Sequence, residues 1–168
     1  MRAAAADRAP EDAELVASVL EGLGAQPKRI ASKWLYDAEG SKLFDRICEL
    51  DAYYPTRTET GILEANAARL AAFVPERAAL VELGSGSSAK TRILLDAFDD
   101  LAAYLPVDIS ADHLRHAAAG LAADYPQLPV WPVVGDFTAG LHLPGELDDR
   151  PKLLFFPGST LGNLEPDD

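Results

Sequence analysis

From about residue 78 onward, short apolar runs alternate with helical stretches, and this alternation most limits the folds open to the chain. Leu80, Val81, Glu82 and Leu83 form the first apolar run. A turn, Gly84-Ser85-Gly86-Ser87-Ser88, leads into a helix expected over residues 90–98. Tyr104, Leu105, Pro106 and Val107 form a second strand that ends at Asp108. A helix follows over 111–125, then strands over 130–134 and 153–156. Residues 143–150, rich in Pro, Gly and Asp, read as a surface connection. Strand–helix–strand repetition implies an α/β fold, a Rossmann-like parallel sheet with helices on both faces.

Upstream the pattern differs, and a division at residues 1–73 and 74–168 is expected. Leu15, Val16, Val19, Leu20 and Leu23 share one helical face, with Pro10 before them and Gly24 after. Gly40-Ser41 is placed to cap a short helix carrying Leu43, Phe44 and Ile47. A loop over 51–58 ends at Thr58, which starts a helix with Ile62, Leu63, Ala67 and Leu70 on one face. The first residues, Met1 to Asp7, are Ala-rich and then acidic. They lack the apolar core of a signal peptide, so a frayed start is expected.

Composition narrows the partners. Of the 168 residues, 48% are hydrophobic and 25% charged, as in an ordinary globular domain. The net charge of −12 argues against non-specific binding to nucleic acid or to anionic membranes. No apolar stretch approaches membrane-spanning length. Cys48 is the single cysteine and forms no internal disulfide, so a reducing cytoplasm is the default. Its spacing from Phe44 suggests a core thiol rather than a nucleophile. No metal site is expected.

The residues that carry chemistry sit at strand ends. Glycines at a strand-to-helix turn let a ligand approach the backbone, and the helix beyond presents free N–H groups. Asp108 stands about 20 residues past Gly86, the place for a carboxylate that accepts ribose hydroxyls. At the third strand end, Asp136 offers an acceptor to an adenine amino group and Phe137 a flank for the ring. Three strand ends thus each offer an adenosine contact, although a plain tight turn and a helix cap at Asp108 compete as readings. Ser110 would serve as that cap equally well. Two adenosine cofactors remain, and Glu82 separates them. Its carboxylate would repel the pyrophosphate of NAD but suits the cationic end of S-adenosylmethionine.

Four blocks carry a resemblance. They are Lys33-Trp34-Leu35-Tyr36-Asp37, Tyr53-Tyr54-Pro55-Thr56-Arg57-Thr58-Glu59, Glu82-Leu83-Gly84-Ser85-Gly86-Ser87-Ser88-Ala89-Lys90-Thr91 and Phe156-Pro157-Gly158-Ser159-Thr160-Leu161-Gly162-Asn163-Leu164. In order and spacing they resemble the histidine-specific Nα-methyltransferases, which make the betaine precursor of ergothioneine. The match covers nearly the whole chain. It implies a cofactor, S-adenosyl-L-methionine, held by Gly84, Ser85, Gly86, Lys90, Asp108, Asp136, Phe137 and Gly158. It implies that Tyr36 meets the substrate amine and acts in catalysis, and that Tyr53 and Asn163 hold the substrate carboxylate. Read without it, Tyr36 and Tyr53 are core aromatics, Lys90 a solvated helix residue and Asn163 a turn cap.

The resemblance implies methylation of the α-amine of L-histidine to the trimethyl product, hercynine. In such chemistry an unprotonated amine attacks a sulfonium methyl in line, so catalysis is mostly positioning. A free α-amino group loses its proton near neutrality, and a phenol such as Tyr36 can orient the lone pair. A quaternary nitrogen has no lone pair, so the reaction stops there. The family's imidazole-binding acid and further strands fall outside the matching blocks. The sheet is therefore expected to be incomplete and residues 1–168 alone inactive, with the fourth strand's edge bare. A full-length monomer in the cytoplasm is expected. The alternatives are a relative acting on a tryptophan derivative, half of an NAD-dependent oxidoreductase, or a non-catalytic nucleotide-binding fragment.

Overall fold

In the computed structural model, which describes residues 12–164, four parallel strands form one sheet in the order β3-β2-β1-β4. The strands are β1 (Ala78–Leu83), β2 (Leu101–Asp108), β3 (Val133–Val134) and β4 (Lys152–Phe155). The first strand lies inside the sheet with the fourth beside it, the order the family resemblance implies. β3 is shorter than expected. Pro106 of β2 has no N–H to give to this run, so only a bridge between Tyr104 and Val130 precedes the two-residue strand. The expected strand over 153–156 is shifted back by one residue.

Alternate residues of β1 and β2 point to opposite faces. Leu80 and Tyr104 face a core with Leu63, Leu94, Ala118 and Leu121. These come from α3 (Pro55–Ala71), α4 (Thr91–Leu95) and α5 (Ala111–Asp124). Ala79, Val81, Ala103 and Leu105 face a second core, closed by Leu147 with Trp131, Leu141 and Leu143. The 143–150 segment is therefore more than a surface connection. Leu147 is only 5% exposed, and a short 3-10 turn over Gly145–Leu147 delivers it.

Helix boundaries show where local chemistry overrides spacing. α1 (Asp12–Gly24) ends at the expected glycine, and the frayed start expected over residues 1–7 lies outside the described residues. α2 (Ala38–Cys48) is capped by Asp37, whose Oδ1 accepts from Gly40 N at 2.7 Å. Gly40 and Ser41 therefore lie inside the helix rather than capping it. A Cβ on Gly40 would come within 1.8 Å of Leu35 O, so glycine there serves close packing. α3 begins at Pro55 and not Thr58, because proline at the first helical position needs no N–H partner. α4 (Thr91–Leu95) is shorter than expected, mainly at its C-terminal end. No helix among the described residues is long and apolar enough to cross a membrane.

Candidate functional site

The turn after β1 is built from left-handed residues. Gly84, Gly86 and Ser88 have φ of 67°, 49° and 55°. A Cβ on Gly86 would meet nothing within 4 Å, so the glycines serve backbone conformation and an open approach rather than tight packing. Ser85 Oγ is buried and has no hydrogen-bond partner among the described residues. An unpaired buried hydroxyl costs free energy unless a ligand supplies the partner.

Asp108, at the end of β2, braces this turn. Its Oδ2 accepts from Gly86 N at 3.0 Å and its Oδ1 from Ser110 N at 2.9 Å. A carboxylate offers about four lone-pair sites, so two N–H groups leave capacity for ligand hydroxyls. Ser110 occupies the cap position of α5, but its side chain makes no cap bond. Asp108 is therefore not the helix cap; its bond to Ser110 N lies just before the helix.

At the end of β3, Asp136 is heavily engaged. Its Oδ1 accepts from Thr138 N at 2.9 Å and Thr138 Oγ1 at 2.6 Å. Its Oδ2 accepts from Lys33 Nζ at 2.7 Å, and Lys33 also pairs with Glu14 at 2.9 Å. Burial opposes the charge on Asp136, but the hydrogen bonds from Lys33 and Thr138 outweigh it and hold its pKa below the ordinary value. Burial likewise opposes the charge on Lys33, yet Asp136 and Glu14 raise its pKa. Phe137 packs edge-on against Phe156, ring centroids 5.2 Å apart.

These groups line two adjoining cavities of about 120 and 640 Å³. Tyr36, Phe44, Asp45, Gly84, Gly86 and Thr160 border both. The smaller adds Asp108, Asp136 and Phe137. The larger adds Ser85, Lys90, Gly158, Tyr53 and Asn163. Every residue singled out in the sequence as a binding candidate therefore reaches one cleft beyond the carboxyl ends of the strands, where open α/β sheets place ligands.

The cleft also holds residues the sequence reading passed over. Phe44 stacks edge-on between Tyr36 and Tyr53, at 5.8 and 6.0 Å. Its spacing with Leu43 and Ile47 reads as core, and only the tertiary fold turns it to the cleft. His113 lies 4.0 Å from Asp45 at the smaller cavity. Lys33 had a signal, a basic residue inside an aromatic block, but no spacing tied it to Asp136. Cys48 is half-buried rather than a core thiol. It accepts from Thr56 Oγ1 at 3.4 Å and borders the larger cavity.

Two further groups near the turn, Tyr36 and Glu82, have raised pKa values. Burial, with Tyr53, Asp108 and Cys48 adding to it, pushes the Tyr36 phenol up. Tyr36 is thus a neutral phenol at neutral pH, suited to hydrogen bonding rather than to proton abstraction. Glu82 is 1% exposed, and its Oε2 accepts from both Thr91 Oγ1 and Tyr104 OH. Ser88 Oγ joins Tyr104 OH at 3.0 Å. Burial pushes Glu82 up to about 7 against those two donors and the nearby Lys90.

Sequence comparison agrees with this geometry. The histidine-specific, S-adenosylmethionine-dependent methyltransferase family matches residues 15–168. A histidine N-alpha-methyltransferase of Mycolicibacterium smegmatis is 47% identical over 96% of this chain and 50% of its own length. One from Mycobacterium tuberculosis is 41% identical over 99% of the chain and 53% of its own. A 4-dimethylallyltryptophan N-methyltransferase of Epichloe festucae is 30% identical over 89% of the chain and 46% of its own. The chain spans about half the length of these curated relatives. With the family's match running over residues 15–168 and so spanning all four motif blocks, the chain belongs to the histidine-specific, S-adenosylmethionine-dependent methyltransferases.

Proposed function

We propose that the full-length protein methylates the α-amine of L-histidine to the trimethylated product, with S-adenosylmethionine as donor, in ergothioneine biosynthesis. The observation that carries this reading is the meeting of Tyr36, Tyr53 and Asn163 with the glycine turn around one cavity. A zwitterionic amino acid offers an ammonium and a carboxylate, and these three side chains offer polar partners of the matching kinds.

The residues present fit the cofactor. The orphaned Ser85 hydroxyl, the uncrowded Gly86 and the spare acceptor capacity of Asp108 suit an adenosine with its amino-acid tail. Gly84, Ser85 and Gly86 would hold it from the turn, and Asp108 would take the ribose. Phe137 would flank the adenine, with Asp136 beside it. Lys90 and Gly158 border the same cavity. When bound, S-adenosylmethionine supplies an electrophilic methyl on a sulfonium.

The chain's own residues then position the acceptor. The Tyr36 phenol, kept neutral by burial, orients the amine. Tyr53 and Asn163 anchor the carboxylate, which fixes the amine's distance from the turn. Phe44 holds the two tyrosine rings apart edge-on. The single cysteine suits a cytoplasmic enzyme, and we propose that it acts as a monomer on free histidine.

Turnover of histidine against histamine tests the reading. Histamine keeps the imidazole and an amine but lacks the carboxylate. It should be a poor substrate, with kcat/KM lower by about tenfold or more, the scale of losing a charged hydrogen-bond partner. Equal kcat/KM for the two would refute the assignment of Tyr53 and Asn163.

A further inference from the structure

Glu59 belongs to the Tyr53-to-Glu59 block, yet neither the fold nor the proposed contacts account for it. It lies one turn into α3, half-buried at the larger cavity. Its two carboxylate oxygens go to different elements. Oε1 accepts from Gly158 N at 2.7 Å, in the loop after β4. Oε2 accepts from Lys90 Nζ at 2.5 Å, at the entry to α4. Gly158 has φ of 81°, and a Cβ there would sit 3.5 Å from Lys90 Nζ. The loop, the lysine and the glutamate are thus fitted to one another across the mouth of the cleft.

The consequence follows from chain connectivity. Tyr53 stands just before α3, and Asn163 ends the 3-10 turn Thr160–Asn163 that follows the Gly158 loop. One carboxylate therefore links the helix that follows Tyr53 to the loop that leads to Asn163. We propose that Glu59 is a positioning residue, a clasp that sets the separation of Tyr53 and Asn163 and holds the Lys90 ammonium at the cavity wall. Its catalytic consequence rests on the reading of those two residues as carboxylate anchors. The clasp itself rests on geometry alone.

Two variants in the full-length protein separate these layers. Glu59→Gln keeps an acceptor for Gly158 N but removes the charge facing Lys90. Glu59→Ala removes both. Hydrogen exchange at the Gly158 amide tests the clasp whatever the substrate. Exchange should quicken in Glu59→Ala and stay slow in Glu59→Gln, and unchanged protection in Glu59→Ala overturns the clasp. Kinetics tests its role. Glu59→Ala should raise KM for histidine about tenfold, and S-adenosylhomocysteine affinity, measured by calorimetry, should fall by less, because Lys90 and Gly158 are only two of the residues around the cofactor's share of the cleft. Glu59→Gln should recover part of that loss. Equal losses for both ligands together with a lowered Tm would mark a merely structural residue and overturn the positioning role. An unchanged KM would do the same. A wild-type protein that leaves histidine unmethylated, yet shows the exchange pattern, would refute the substrate reading and leave the clasp standing.

Discussion

Asp108 holds the glycine turn through Gly86 N and the start of α5 through Ser110 N, while its remaining lone pairs face the smaller cavity. Replacing it by alanine should weaken S-adenosylhomocysteine binding by about 1.5–3 kcal/mol, the loss of a charge-assisted hydrogen bond. Calorimetry on the full-length variant measures this, and unchanged affinity would contradict the ribose contact. Glu82 behaves differently because it is inside the fold. Its folded pKa of about 7 lies above the ordinary 4.5, so between those values the folded state keeps a proton that the unfolded chain has released. Stability from this group therefore falls as pH rises through that window and is level above it. Glu82→Gln should flatten that part of the pH–stability curve in urea unfolding, and an identical slope in the variant would contradict the buried-acid account. Asp108 was legible in the sequence because strand end and spacing from the glycines mark it. The surroundings of Glu82 were not, since Tyr104 and Thr91 meet it only when β2 and α4 pack against β1.

At the scale of elements, hydrophobic period gave the order of helices and strands, while single residues decided their ends. Pro55 starts α3 from within a segment that reads as loop, and Asp37 caps α2 where Gly40-Ser41 reads as the cap. Pro106, on the neighbouring β2, leaves an apolar run of strand composition with a bridge and two paired residues. Gly40 shows the same limit from another side. Its role is the close approach of α2 to Leu35, a contact no local pattern announces. Gly40→Ala should force α2 away from the 3-10 turn Ser32–Leu35 and so displace Tyr36, which follows that turn. Such overpacking costs about 1–3 kcal/mol. Chemical unfolding should show the loss, with a poorer KM for histidine, and a variant as stable as the parent would show that the contact yields freely.

Over the whole molecule, the sheet and the site have different degrees of visibility in the sequence. The parallel pairing follows from strand–helix alternation, and the cleft from the strand ends that face it. The covering of the sheet does not. Helices α3, α4 and α5 supply one core, while Trp131, Leu141, Leu143 and Leu147 cover the other from irregular chain. β4 lies at the edge of the sheet, with Leu154 64% exposed. The candidate site was legible as a set of residues and not as a set of contacts. Phe44, Lys33 and Glu59 enter it through tertiary packing between the N-terminal helices and the strand ends. The most direct measurement is mass spectrometry of products after incubating the full-length protein with S-adenosylmethionine and L-histidine. The account predicts histidine carrying three added methyl groups on its α-nitrogen, with S-adenosylhomocysteine formed in step. Absence of methylated histidine, or methyl groups on the imidazole in place of the α-nitrogen, would contradict it.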